Sequence, residues 1–190
     1  LHGEIKMIPL KTRKALSTVV TTLIILVVSV LLATVVTFYA INVTTTRMES
    51  EDLKITKNHI WSNSTMAQAG FVLTNVGGRD VLLDKVTIRD QVEPWTDIYY
   101  WKGTVQTHDL NFTNVALTGS TASITIEGTA KTFKQATGAI AVESGTALVM
   151  YIASPDSIGV SDIGVTTRIT VYSANAMYSK EANVEFIPLP

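Results

Sequence analysis

At 190 residues, with 46% hydrophobic and only 16% charged side chains, the chain is too apolar for one ordinary soluble domain, in which about a quarter of residues are charged. Its 15 Lys and Arg nearly balance its 16 Asp and Glu. The bulk basicity of a nucleic-acid binder is therefore missing, and no nucleic-acid partner is expected. With no cysteine in the chain, a disulfide framework, a thiolate metal site and a cysteine nucleophile are excluded.

The imbalance is local. Residues 1–15 carry Lys6, Lys11, Arg13 and Lys14 against Glu4, and Met7 rather than Leu1 is the expected translational start. From Ala15 to Thr46, 32 residues in all, not one side chain is charged. A helix of that length spans about 48 Å at 1.5 Å per residue, whereas a bilayer needs only about 20 residues. The basic flank before it, and Glu49 as the first acidic residue after it, put Lys11–Lys14 in the cytoplasm and the rest outside. The expected helix covers residues 16–50. Val, Ile and Thr weaken a helix in water, but an unpaired backbone group in lipid costs several kcal/mol and overrides that preference. The alternative is a buried helix of a soluble core. At 100° per residue, Ala15, Thr18, Thr22, Ser29 and Ala33 fall within roughly 60° of one another. Together with Leu26 and Val36 they are the expected packing surface, since small residues let helices approach closely. The other explanation is that the Ser and Thr hydroxyls bond back to their own helix.

A conventional secretory signal places its cleavage site after the apolar region. Here a basic segment and a small residue precede it. The run Lys14-Ala15-Leu16-Ser17-Thr18-Val19-Val20, continued by the uncharged helix, resembles the class III signal of archaeal type IV pilins and archaellins. The resemblance implies that a membrane-bound prepilin peptidase recognises Lys14 and Ala15, removes residues 1–15 as a leader and leaves Leu16 as the new N-terminus. Bacterial pilins carry Glu at the fifth mature position; Val20 stands there in this chain, which fits the archaeal branch better. Loss of residues 1–15 leaves 11 basic and 15 acidic residues, a formal charge of −4.

Beyond Arg47 the pattern changes to short alternating β-rich runs separated by turn signals. The expected strands are Asp52–Ser62, Met66–Asn75, Val81–Arg89, Asp97–Lys102, Ala122–Glu127, Ala147–Ala153, Val165–Ser173 and Ala176–Ile187. Gly77-Gly78 reads as a hairpin turn, and Ser173-Ala174-Asn175 as the turn of a last hairpin. The expected fold class is α+β: one long apolar helix, then an antiparallel, Ig-like β-sandwich over residues 51–190.

Catalytic constellations are not found. His2, His59 and His108 have no metal-ligand spacing, and no GxSxG or phosphate loop occurs. His108-Asp109 reads as a solvated loop rather than a metal site. A Ca²⁺ loop at Asp156 and Asp162 lacks the EF-hand spacing. Trp95, Tyr99, Tyr100 and Trp101 form either a carbohydrate-contact patch or, the favoured reading, core aromatics. Asn42, Asn63 and Asn111 open Asn-x-Ser/Thr triplets and become candidate glycan sites in an exported chain. The expectation is a structural filament subunit that is not an enzyme and needs no cofactor or metal. It would sit in the membrane as a precursor, be cleaved, and polymerise outside the cell through its helix with help from a membrane assembly machinery. A monomeric, single-pass binding ectodomain is the alternative.

Overall fold

The computed structural model describes residues 11–104 and 108–188. Positions 1–10 and the side chains of Lys14 and Ala15 lie outside the described residues, so most of the expected leader does too. The chain divides into two compact units, Leu1–Thr46 and Arg47–Pro190.

The first unit is helical. Helix α1 runs Lys11–Glu49, 39 residues, and so takes in the basic segment as well as the uncharged run. Lys and Arg are good helix formers, and neither Gly nor Pro interrupts the span. Its apolar side chains surround the axis on every side, which is the pattern of a helix meant for apolar surroundings rather than for one face of a soluble core.

The second unit is β-rich, and the protein as a whole is α+β. In chain order its strands are β1 (Leu53–Ser62), β2 (Ala67–Asn75), β3 (Val81–Ile88), β4 (Gln91–Val92), β5 (Ile98–Gly103), β6 (Thr121–Ile126), β7 (Thr129–Gln135), β8 (Ile140–Val142), β9 (Ala147–Ala153), β10 (Thr166–Ser173) and β11 (Met177–Phe186). They form one ladder in the order β4-β3-β10-β11-β1-β2-β9-β5-β7-β6, with β8 on the side of β3. The long strand β11 joins its two halves: it runs antiparallel to β10 as far as Asn183, and then parallel to β1 from Val184 to Phe186. Among the described residues that is the one parallel pairing in a ladder otherwise antiparallel, as expected.

The last hairpin turns where the sequence says. Tyr172 faces Met177, and the Ser173 amide donates to the Ala176 carbonyl. Gly77-Gly78, in contrast, is not a hairpin turn. Both sides of β2 are occupied, by β1 and β9, while β3 pairs with β10, β4 and β8. The segment after Asn75 therefore crosses from one half of the ladder to the other. Its backbone presses against the start of the unit, with the amides of Val76 and Gly77 donating to the Asp52 carbonyl and that of Gly78 to the Ser50 carbonyl. The wholly buried Asn75 ties this crossing to Arg79 and Val142 through its side-chain amide.

Strands β2 and β9 are buried along almost their whole length, which alternation alone does not produce. Phe71, Leu73, Leu148, Met150 and Ile152 enter one cluster together with Val86, Ile88, Ile169 and Val171 from the other half of the ladder. Val72, Val149 and Tyr151 face the opposite way, into a second cluster with Leu110, Ile124 and Phe133. The central strands thus carry apolar side chains on both faces, the pattern of a strand covered on both sides. Strands β4, β7 and β8 were not expected. Two of them are only two and three residues long, and β7, which contains two lysines, has a largely polar exposed face.

The crossing at Gly77 gives the first prediction. A Cβ there would lie 2.5 Å from the Ser50 carbonyl oxygen and 2.6 Å from the Asp52 nitrogen, both backbone atoms, whereas a Cβ at Gly138 meets nothing within 4 Å. Gly77→Ala should destabilise the β-rich unit by about 1–3 kcal/mol, while Gly138→Ala should be neutral or slightly stabilising. Thermal unfolding followed by near-ultraviolet circular dichroism checks both.

Candidate functional site

The most exposed apolar surface of the chain is α1. Leu16–Thr46 is 31 residues long, has a mean hydropathy of 2.9, and by length and composition can cross a membrane. None of it is buried. Eighteen large apolar side chains between Leu16 and Val43 are exposed, Leu26 and Val36 each at 64%. Thr18, Thr22, Ser29 and Ala33 are exposed as well. Eight hydroxyls on this surface are turned inward. Thr21, Ser29, Thr34, Thr37, Thr44, Thr45 and Thr46 each donate to the carbonyl four residues back, and Thr22 to the one three back. Such bonds give the hydroxyl a partner within its own helix and leave its methyl or methylene outward. One shallow groove, of about 430 Å³, opens between Val30, Ala33, Thr34, Thr37, Phe38 and Ile41. Ala33 was named from sequence; Thr34 and Thr37 join the groove because back-bonding makes them effectively apolar.

In the β-rich unit the sequence-named chemistry disperses. Among the described residues, no group of three or more His, Asp or Glu is placed to hold a metal ion. His108 and Asp109 part company. The ring of His108 lies 3.4 Å from Glu127, whereas Asp109 pairs with His59 at 2.9 Å. Both carboxylate oxygens of Asp162 are engaged, one by Arg89 at 2.7 Å and the other by the Gly159 amide at 2.8 Å, so it braces its own loop. The aromatic run splits between the two cores. Tyr99 is wholly buried, Trp95 and Tyr100 pack on the larger cluster, and Trp101 packs on the smaller one.

The three candidate glycan asparagines differ in setting. Asn42 is exposed on α1 and Asn111 is exposed on the segment after β5. Asn63 is only 4% exposed. Its side-chain oxygen accepts from the Thr65 amide, the Thr65 hydroxyl and the Met66 amide, each at 2.9 Å. A glycan on Asn63 therefore requires this turn to open, and Asn111 is the more accessible acceptor.

Sequence reasoning missed Glu93. It sits beside Pro94 in what looks like a break between strands, yet it is 4% exposed and its Oε1 has no protein hydrogen-bond partner. Burial, helped by the charges of Asp156 and Asp97, pushes its pKa up to about 7. Between the ordinary carboxylate value and 7, the folded protein holds a proton that the unfolded chain has lost. Stability should therefore fall as pH rises through that window and level off above it. Glu93→Gln should flatten this dependence and raise stability at pH 8 by about 1–3 kcal/mol, which denaturant melts at pH 5 and pH 8 measure.

No protein-family model matches this chain, and no curated protein is similar enough to place it in a family.

Proposed function

We propose that the protein is the structural subunit of an extracellular filament of the type IV pilus kind, polymerising through α1. The observation that carries this reading is the 31-residue apolar surface of Leu16–Thr46, none of it buried, with eight of its hydroxyls bonded within the helix. A membrane anchor alone needs about 20 residues. The surplus length, the apolar residues around the whole axis, and the Lys14-Ala15-Leu16 junction favour a helix that first crosses lipid and later packs among copies of itself.

In this reading the precursor waits in the membrane with Lys11–Lys14 in the cytoplasm and the β-rich unit outside. Those cations resist passage through the bilayer by about 2.5–3.5 kcal/mol each on insertion scales. Cleavage by a prepilin peptidase between Ala15 and Leu16 removes them. The freed helix is then drawn out of the bilayer by a membrane assembly machinery. Outside the lipid its side chains must be covered, and burying apolar surface is worth roughly 25 cal/mol per Å². Identical contacts that do not close on themselves generate a helical polymer. Thr18, Thr22, Leu26, Ser29, Ala33 and Val36 would meet neighbouring helices. The β-rich unit, which we read as an Ig-like sandwich because both halves of its ladder feed one core, would face solvent and carry any glycan. The resemblance to archaeal type IV pilins and archaellins supports the same assignment, which needs no cofactor, metal, nucleic acid or enzymatic chemistry.

Mass spectrometry of the mature chain should find Leu16 as its first residue, and electron microscopy of sheared cell-surface material should show fibres. Precursor carrying Lys14→Ala and Ala15→Asp should accumulate uncleaved and build none. Fibres made of chains that retain Lys11–Lys14 would sink the mechanism. A cleaved or uncleaved chain that stays membrane-bound and never forms fibres would identify a single-pass ectodomain instead.

A further inference from the structure

A β-bulge sits in β1. The register against β2 shifts between Thr56 and His59, and Lys57 adopts a left-handed φ of 51°. Beyond it, Ile60 enters the larger core, while His59 and Trp61 share the opposite face. The two rings stack with centroids 5.4 Å apart and planes 6° from parallel. Trp61 in turn stacks on Tyr151 at 6.3 Å and meets the edge of Phe112 at 6.2 Å. Residues 108–118 run across this aromatic face as a strap, placing Leu110, Phe112 and Leu117 on it. The strap is also tied by Tyr151, whose hydroxyl donates to the Asn111 carbonyl at 2.8 Å, and by the Thr113 amide, which donates to Gln68 at 3.0 Å.

His59 joins three segments that are distant in sequence. Its Nδ1 lies 2.8 Å from the carboxylate of Glu185 on β11, and its Nε2 lies 2.9 Å from that of Asp109 on the strap. An ionised carboxylate can only accept, and a neutral imidazole has one N–H to give. Only the imidazolium form donates to both at once. The other charged and titratable groups around it fit this state. Lys57, also on β1, donates to the His108 carbonyl and attracts Asp109. Glu127 holds the His108 ring, and Tyr151 beneath stays neutral, burial pushing its pKa up to about 12.

We infer that His59 is a pH-sensitive latch, whose imidazolium form fastens the strap 108–118 and the end of β11 to β1 over the aromatic stack. Burial opposes the charged ring, but its hydrogen bonds to Glu185 and Asp109 outweigh that and raise its pKa above the ordinary 6.5. Asp109 responds in the opposite sense. Burial opposes its charge, and the bond to His59 nevertheless holds its pKa below the usual carboxylate value. A group with a raised folded-state pKa contributes fully below its unfolded value and loses that contribution as pH rises through the folded one. Above that pH the ring sheds a proton, and one of the two carboxylates then faces a lone pair. The strap is released there, uncovering Trp61 and its side of the smaller core, while the larger core stays closed.

The test is hydrogen–deuterium exchange on the full chain in detergent micelles at about pH 5.5 and pH 9, corrected for the intrinsic pH dependence of exchange. Amides of 108–113 should exchange about tenfold faster at the higher pH, while those of β9 should not change. His59→Phe keeps a ring on Trp61 and removes both donors; its strap should be equally open at both pH values. The double variant Asp109→Asn, Glu185→Gln keeps the acceptors without their charge and should also abolish the response. Glu93→Gln should retain it. The latch is refuted by wild-type strap exchange that is the same at both pH values, by a normal pH response in either His59-site variant, or by loss of the response in Glu93→Gln.

Discussion

The constraint on which the rest depends is that the chain makes an apolar helix it does not itself bury. Exposure of Leu16–Thr46 to water would cost far more than the net stability of a small domain, which is about 5–15 kcal/mol. Lipid and other helices are the surroundings that suit it, and by length and composition it can cross a membrane. Both environments set the same chemical requirement, that no hydroxyl be left without a partner. Eight Thr and Ser hydroxyls of α1 meet it locally, by folding back onto carbonyls of the preceding turn. Those eight bonds need no neighbour, so on the proposed reading they would survive an exchange of lipid for protein.

The β-rich unit answers the complementary problem. Its two apolar clusters are built from its own strands and the loops between them. Covering β2 and β9 on both faces gives a unit of about 140 residues two cores. The second core rests on the 108–118 strap rather than on a further regular sheet. Such a cover is held by a few directional bonds and a small apolar footprint, and the pairs of His59, whose ring is only 22% exposed, are among those bonds. The isolated pairs Arg168–Glu181 and Lys102–Glu143, at 3.7 and 3.8 Å with exposed partners, contribute little by comparison.

Legibility in the sequence follows the range of the interactions. The helix was readable because absence of charge is a property of neighbouring residues, and the main strands and the last hairpin because alternation and turn chemistry are equally local. The route of the chain after Asn75 was not, since Gly77-Gly78 has the composition of a hairpin turn and only the occupation of both β2 edges turns it into a crossing. The carboxylates on His59 lie 50 and 126 residues away in sequence, a separation at which no spacing rule operates. Glu93 was hidden differently: a charged residue next to Pro94 has every local sign of a solvated loop, yet it is 4% exposed, and Asp156, one of the charges acting on it, stands far along the chain.

Charge placement differs between the two ends of the chain. The basic groups of residues 1–15 balance much of the acidity of the rest, and the nearly neutral chain is thus a polarised one, cationic before the apolar run and anionic after it. On the proposed reading that polarity would orient a precursor in a membrane, and the same cations would keep the helix from leaving it. A single cut between Ala15 and Leu16 would remove the anchor and leave the acidic remainder, which repels its own kind at long range and so resists random aggregation. Association would then be directed to the apolar helix, where contact is short-range and screening by salt has no purchase. An export signal, an anchor and an assembly control would in this way reside in one junction of a few residues.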